Sequence, residues 1–285
     1  ALIEAGFGAG MINIAPFYAD TLRMGLEKGA DVFTILMRTS QPEDAAAFEQ
    51  WSTTLSESMR VYRVTPKAET PVNAYAYPAL TPRGTGVHEV QSLPEADKAL
   101  DQIRQSLIAQ YGGEYDYEEF TARIAVPEGM TGYLNDENAQ GDNRDTSYLM
   151  TNDFTLNSDE DFVVVYGVNH VAAGKATYAN TVLYARPRLN GIVSLYDSMY
   201  GDSAAEYLPD ADSSKYYVLK MARTALDSHT AVIPYSTDNP NGRFYGADNG
   251  TQLLIAYRAY VEPETGVGPS YYEIVYDRAI VFHKK

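Results

Sequence analysis

The run Phe162-Val163-Val164-Val165-Tyr166-Gly167-Val168 is the most apolar strand-sized stretch of the chain. It is far shorter than the ~20 residues a helix needs to cross a bilayer. Its valines favour an extended backbone with both faces buried. Gly167, near its end, signals a bulge or the close approach of another backbone. Working outward, further strand-sized runs fall at 147–151, 176–185, 191–196, 231–235, 253–261 and 274–282, separated by Gly-, Pro-, Asn- and Asp-rich turns. Seventeen of the 24 tyrosines lie beyond residue 128, and Tyr is at home on half-buried pleated surfaces. Short strands at this spacing predict a β-sandwich or a distorted barrel. One helical insert is expected over 213–227, where Val218, Met221, Ala222 and Ala225 recur at helical spacing.

The first part of the chain has a different texture. Helical patterns run over 16–28 and from about 42 to 55, with Ser40 as the N-cap of the second and Glu43 three residues on. Strands are expected at 31–38 and 60–64. The clearest helix runs over 94–111, with Ala96, Leu100, Ile103 and Leu107 on one face and Gly112-Gly113 as its stop. A strand over 118–126 leads to the turn signal Pro127-Glu128-Gly129. The expected fold class is therefore α+β. A smaller α/β part spans 1–128, and a larger, mainly-β, Tyr-rich part spans 129–285. The opening residues read like the interior of a fold, as they would in a piece of a longer parent.

Charge narrows the range of partners. The net charge is −16, with 10 basic against 18 acidic residues over 1–128 and 12 against 20 over 129–285. No basic segment is present to neutralise phosphates, which argues against nucleic acid and against an anionic membrane surface. Zero cysteines remove thiolate nucleophiles, disulfides and Cys-based zinc sites together. An acidic, cysteine-free chain without an apolar span predicts an extracellular or periplasmic protein with no membrane insertion.

The densest polar stretch is 134–151. Within it Asp136, Asn138 and Gln140 occupy loop positions one, three and five, and Gly141 position six. This resembles the first half of an EF-hand, in which alternate oxygens wrap a hard cation. Ser147 stands where the bidentate Glu of that motif belongs, so the expectation is a looser calcium loop using Asp136, Asn138, Asp142 and Asp145. The segment from Gly141 to Ser147 also resembles a box of the type I signal peptidases. Ser56-Glu57-Ser58-Met59 resembles their nucleophile box, and Arg123-Ile124-Ala125-Val126-Pro127 the box carrying their general base. That resemblance implies Ser58 as nucleophile, but Ala122 stands in place of the lysine, and without a base the dyad has no chemistry.

At the N-terminus, Gly6, Gly8 and Gly10, followed by a helix and then a strand ending at Arg38, resemble the phosphate turn of NADP-binding Rossmann domains. The resemblance implies a pyrophosphate held at the helix N-terminus and a 2′-phosphate held by Arg38; Met11 replaces the third glycine. None of the four histidines falls in a metal-ligand spacing. His170, just beyond the 162–168 run, is the one placed for a core-edge role. The leading expectation is a noncatalytic extracytoplasmic binding or structural protein with a calcium-stabilised acidic loop. Its partner is a protein or a carbohydrate, met by Tyr-rich strands. The alternative is an enzyme, either an NADP-dependent oxidoreductase or a hydrolase with an acidic/His site at Asp142 and His170.

Overall fold

Strand Phe162–Val168 is buried along its whole length, and the reason lies in what covers its two faces. The structure, a computed structural model, describes residues 4, 6, 8, 44–59, 81–125, 144–209, 211–236 and 246–285. The chain divides into two units, 1–80 and 81–285. In the first unit the described elements are helices α1 (Ala45–Thr53) and α2 (Leu55–Ser58). The cap of α1 is Asp44, not Ser40: its carboxylate accepts the Ala47 N–H at 2.9 Å, satisfying a helix-start donor. Trp51 is half-buried and lies 5.8 Å from the Phe48 ring. The strands expected at 31–38 and 60–64 and the helix expected at 16–28 lie outside the described residues.

The second unit is α+β and mainly β. It begins with helices α3 (Glu89–Ser92) and α4 (Ala96–Tyr111) and continues through eleven strands. These are β1 (Tyr115–Thr121), β2 (Arg123–Ile124), β3 (Thr146–Met150), β4 (Phe154–Thr155), β5 (Phe162–Val168), β6 (Tyr178–Ala185), β7 (Asn190–Tyr196), β8 (Tyr216–Ala222), β9 (Thr230–Val232), β10 (Gln252–Tyr260) and β11 (Arg278–Lys284). They form two sheets, ordered β1-β11-β5-β8-β9 and β2-β3-β10-β6-β7, with β4 paired to β10. All described pairings are antiparallel except β8 with β9. Neither sheet closes into a barrel. Because the unit begins at residue 81, α4, β1 and β2 share a unit with the β-rich remainder.

Between the sheets lies one core. Val163, Val165, Leu219 and Val281 of the first sheet meet Leu149, Leu183, Leu195 and Ile255 of the second. The alternate residues of β5 (Phe162, Val164, Tyr166 and Val168) point the other way, into a second core against Leu100, Ile103 and Leu107 of α4. A strand covered on both faces has no polar side to display, so it reads as a continuous apolar run. Gly167 stays in regular register with Tyr217, so there is no bulge. A Cβ there would lie 2.5 Å from Asp277 Oδ1 and 3.1 Å from the Tyr217 ring, so the close approach is by side chains rather than by backbone.

The helical insert expected over 213–227 is not formed. Tyr216–Ala222 is strand β8, buried at all seven positions. Val218 and Ala222 face α4, while Leu219 and Met221 face the inter-sheet core. Burial on both sides erased the alternation that would have separated strand from helix. Lys220 stays inside this strand because Asp227 lies 2.6 Å away and the Tyr207 hydroxyl 3.0 Å away. Among the described residues no helix is long and apolar enough to cross a membrane.

Candidate functional site

Three of the four calcium-loop residues, Asp136, Asn138 and Asp142, lie outside the described residues. Asp145 sits in the turn before β3, where its carbonyl accepts the Val261 N–H at 2.9 Å. No group of three or more His, Asp or Glu side chains able to hold a metal ion occurs among the described residues. Gly6 is exposed with φ of +95°, as a turn glycine would be. Gly10 and Arg38, the other parts of the dinucleotide reading, lie outside the described residues. Ser58 ends α2.

His170, which follows β5, forms the centre of a buried ionic array. Its Nδ1 is 2.6 Å from Glu89 Oε1 and its Nε2 is 3.7 Å from Asp277 Oδ2. The second oxygen of Glu89 accepts the Val275 N–H at 2.6 Å, and Tyr217 donates its hydroxyl to Asp277 at 2.6 Å. Burial works against a charged imidazole, but the Glu89 and Asp277 carboxylates outweigh it and raise the His170 pKa to about 10. The array thus favours the charged imidazole, held between two carboxylates. Asp142, the other part of the acidic/His reading, lies outside the described residues.

A second group lies beside the first. Lys175 Nζ is 2.5 Å from Glu262 and 2.6 Å from Glu273, both buried. Glu273 also accepts the Thr85 and Gly86 N–H groups, at 3.0 and 2.7 Å. The Glu89 N–H donates to the Glu273 carbonyl at 2.8 Å and joins the two groups. Gly84, at φ +86°, is required here, because any Cβ would collide with the Glu273 carboxylate. The combined array ties the 84–89 segment to the 262–277 segment, which is a structural task.

The outer face of the second sheet presents different chemistry. Strand register places Tyr148, Arg258, Asn180 and Tyr196 in one row across β3, β10, β6 and β7, with Tyr260 and Tyr178 in the next. The Arg258 guanidinium is 3.1 Å from Asn180 Oδ1 and 2.5 Å from the Tyr184 hydroxyl. It also lies over the Tyr148 and Tyr184 rings, at 5.3 and 5.4 Å from their centroids. Tyr178 stacks with Tyr196 at 6.2 Å and leans on Tyr260 at 5.4 Å. Tyr178, Tyr184 and Arg258 are half-buried, and Tyr196 is 41% exposed. The Tyr-rich strands are thus gathered onto one face. Arg258 and Asn180 escaped the sequence reading, although the signal was there: positions 254, 256, 258 and 260 form the face of β10 opposite the core residues Leu253, Ile255 and Tyr257.

No protein-family model matches the chain. Two curated proteins are similar to part of it: the probable ribonucleases FAU-1 of Pyrococcus horikoshii and of Pyrococcus abyssi. Each is 31% identical over 111 residues, which is 38% of this chain and 22% of the relative. The chain thus spans about a fifth of the length of the relatives it matches.

Proposed function

We propose that this chain is a noncatalytic binding protein that meets a carbohydrate chain on the outer face of its second sheet. One observation carries the reading: Tyr178, Tyr184 and Tyr196 stand together on that face with Arg258 and Asn180 between them. Flat rings offer an apolar body for the C–H faces of a sugar, and the hydroxyl, amide and guanidinium groups offer directional hydrogen bonds to its hydroxyls. An extracellular or periplasmic home and a calcium ion at the Asp136–Asp145 loop belong to the same proposal. The test is affinity electrophoresis through a panel of soluble polysaccharides, comparing the native chain with Tyr196→Ala and Tyr178→Ala. At least one polysaccharide should retard the native chain but neither variant; equal mobility of all three in every gel would end the proposal.

The similarity to probable ribonucleases favours a second reading, in which the same rings stack on bases of single-stranded RNA. Against it stand the net charge of −16 and the lack of a basic segment in the sequence to neutralise phosphates. Filter binding to oligoribonucleotides at low salt separates the two, since RNA retention lost on raising the salt would favour the second.

A further inference from the structure

The two sheets have four edges, and the chain treats them differently. The edge strand β1 carries Asp116, Glu118 and Glu119, a charged border of the kind that keeps other strands away. Strands β2 and β9 are only two and three residues long. Strand β7 is seven residues long and contains neither a charged residue nor a proline. It pairs with β6 on one side, and among the described residues no strand pairs with its other side. A bulge at Ile192 separates the Tyr184–Gly191 pair from the Leu183–Val193 pair, leaving 193–196 regular. Exposed apolar side chains gather at this rim: Leu189 and Met199 flank β7, Tyr196 ends it, and Val232 comes from the neighbouring β9.

We infer that the β7 edge pairs antiparallel with β7 of a second copy of this chain, joining the two second sheets into one across a two-fold axis. The occupant follows from charge. Arg186, which also lies 3.4 Å from Asp153, and Arg188 stand before β7, and Asp197, which also accepts the Ala179 N–H, and Asp202 stand after it. A two-fold axis through the middle of an antiparallel pair brings the basic end of each copy beside the acidic end of the other, which makes the edge complementary to itself. A parallel arrangement would set like charge against like. Main-chain hydrogen bonds supply the pairing, as in other strand additions to a free edge, and the exposed apolar residues at the rim are partly covered. The overall charge of −16 opposes association of two copies at low salt, so the measurement belongs at physiological ionic strength.

The test is sedimentation velocity of the full chain over two orders of magnitude in concentration, together with amide hydrogen exchange. The native chain should shift from monomer to dimer with rising concentration, and the amides of 193–196 should become protected in step. Ser194→Lys places lysines near the axis on both copies and should weaken association by at least about tenfold, with the melting curve unchanged because Ser194 is half-exposed. Arg188→Asp should weaken it as well, and adding Asp197→Arg to that variant should restore it. A chain that stays monomeric throughout, or a folded Ser194→Lys variant that dimerises as well as the native chain, overturns the inference. Should Ser194→Lys fail to fold, exchange on the native chain decides alone, and 193–196 amides indifferent to concentration overturn it too.

Discussion

The outer faces of the two sheets come from similar strands and have opposite characters. In the first sheet, Phe162, Val164, Tyr166 and Val168 turn outward from β5 and are sealed by Leu100, Ile103 and Leu107 of α4. In the second, Tyr178, Asn180 and Tyr184 of β6 and Arg258 of β10 turn outward and stay partly open. The inward positions are alike: Val163 and Val165 on one side, Leu183 and Ile255 on the other. A layer of helix thus permits a wholly apolar strand. A face outside the α4 seal keeps some rings and polar tips partly exposed. The ionic array at His170 belongs with the sealed parts of the molecule, because its charges are matched against one another and not offered outward.

This contrast can be broken, and the largest effect is expected in the sealed array. Glu89→Ala leaves the His170 cation with Asp277 alone and the Val275 N–H without its acceptor, and should cost about 3–5 kcal/mol in urea unfolding. A loss below about 1 kcal/mol would mean that the array is not a staple. Next comes the helix seal: Ile103→Ala should cost about 2–5 kcal/mol, because α4 is the cover for β5 and cannot fully collapse into the gap. If Ile103→Ala melted with the native chain, α4 would not be needed over the first sheet.

The pH dependence follows the same array. The folded His170 pKa is raised to about 10 from an ordinary 6.5, with Glu89, Asp277 and Tyr217 as the groups facing it. Its contribution is complete below about pH 6.5 and is lost as pH rises toward 10. The urea midpoint of the native chain should fall over that range more steeply than that of His170→Gln, and parallel profiles would remove His170 as the cause. On the acid side, Asp161 is held down to about 2: burial opposes the shift, but Ser158, His283 and two backbone N–H groups outweigh it. Its stabilisation should therefore fade as pH falls from about 4 toward 2. The smallest effect is expected on the open face. Tyr196→Ala should change stability by about 0.5 kcal/mol or less, and a loss as large as that of Ile103→Ala would mean the face is a core in its own right.

Much of the fold was legible from side-chain pattern. The apolar run at 162–168 and the helical stripe Ala96, Leu100, Ile103 and Leu107 appear in the structure as β5 and α4, with ends shifted by two residues or fewer. The Tyr-rich strands were legible as strands, and their shared face was not. Sequence gives the period of each strand, whereas the row Tyr148–Arg258–Asn180–Tyr196 exists only through the register of β3, β10 and the β6–β7 hairpin, segments far apart in the chain. The reading failed at Tyr216–Ala222 because both faces of that strand are buried, so Val218, Met221 and Ala222 matched a helix as well as a strand. At His170 the sequence offered a lone imidazole after a strand. Its partners Glu89 and Asp277 stand 81 and 107 positions away, beyond the reach of any local pattern.

The sequence by itself determined that this is an acidic, cysteine-free α+β chain whose larger part is built of Tyr-rich strands. It did so because apolar periodicity and turn residues act locally, within one element at a time. Only the tertiary structure decided which strands neighbour one another, which sheet face α4 covers, and which charges meet inside. These are choices among distant segments, made by burying apolar area on both sides of the first sheet and by setting buried cations against carboxylates in the His170 and Lys175 arrays. The partly exposed Tyr–Arg face and the uncharged β7 strand are products of those choices.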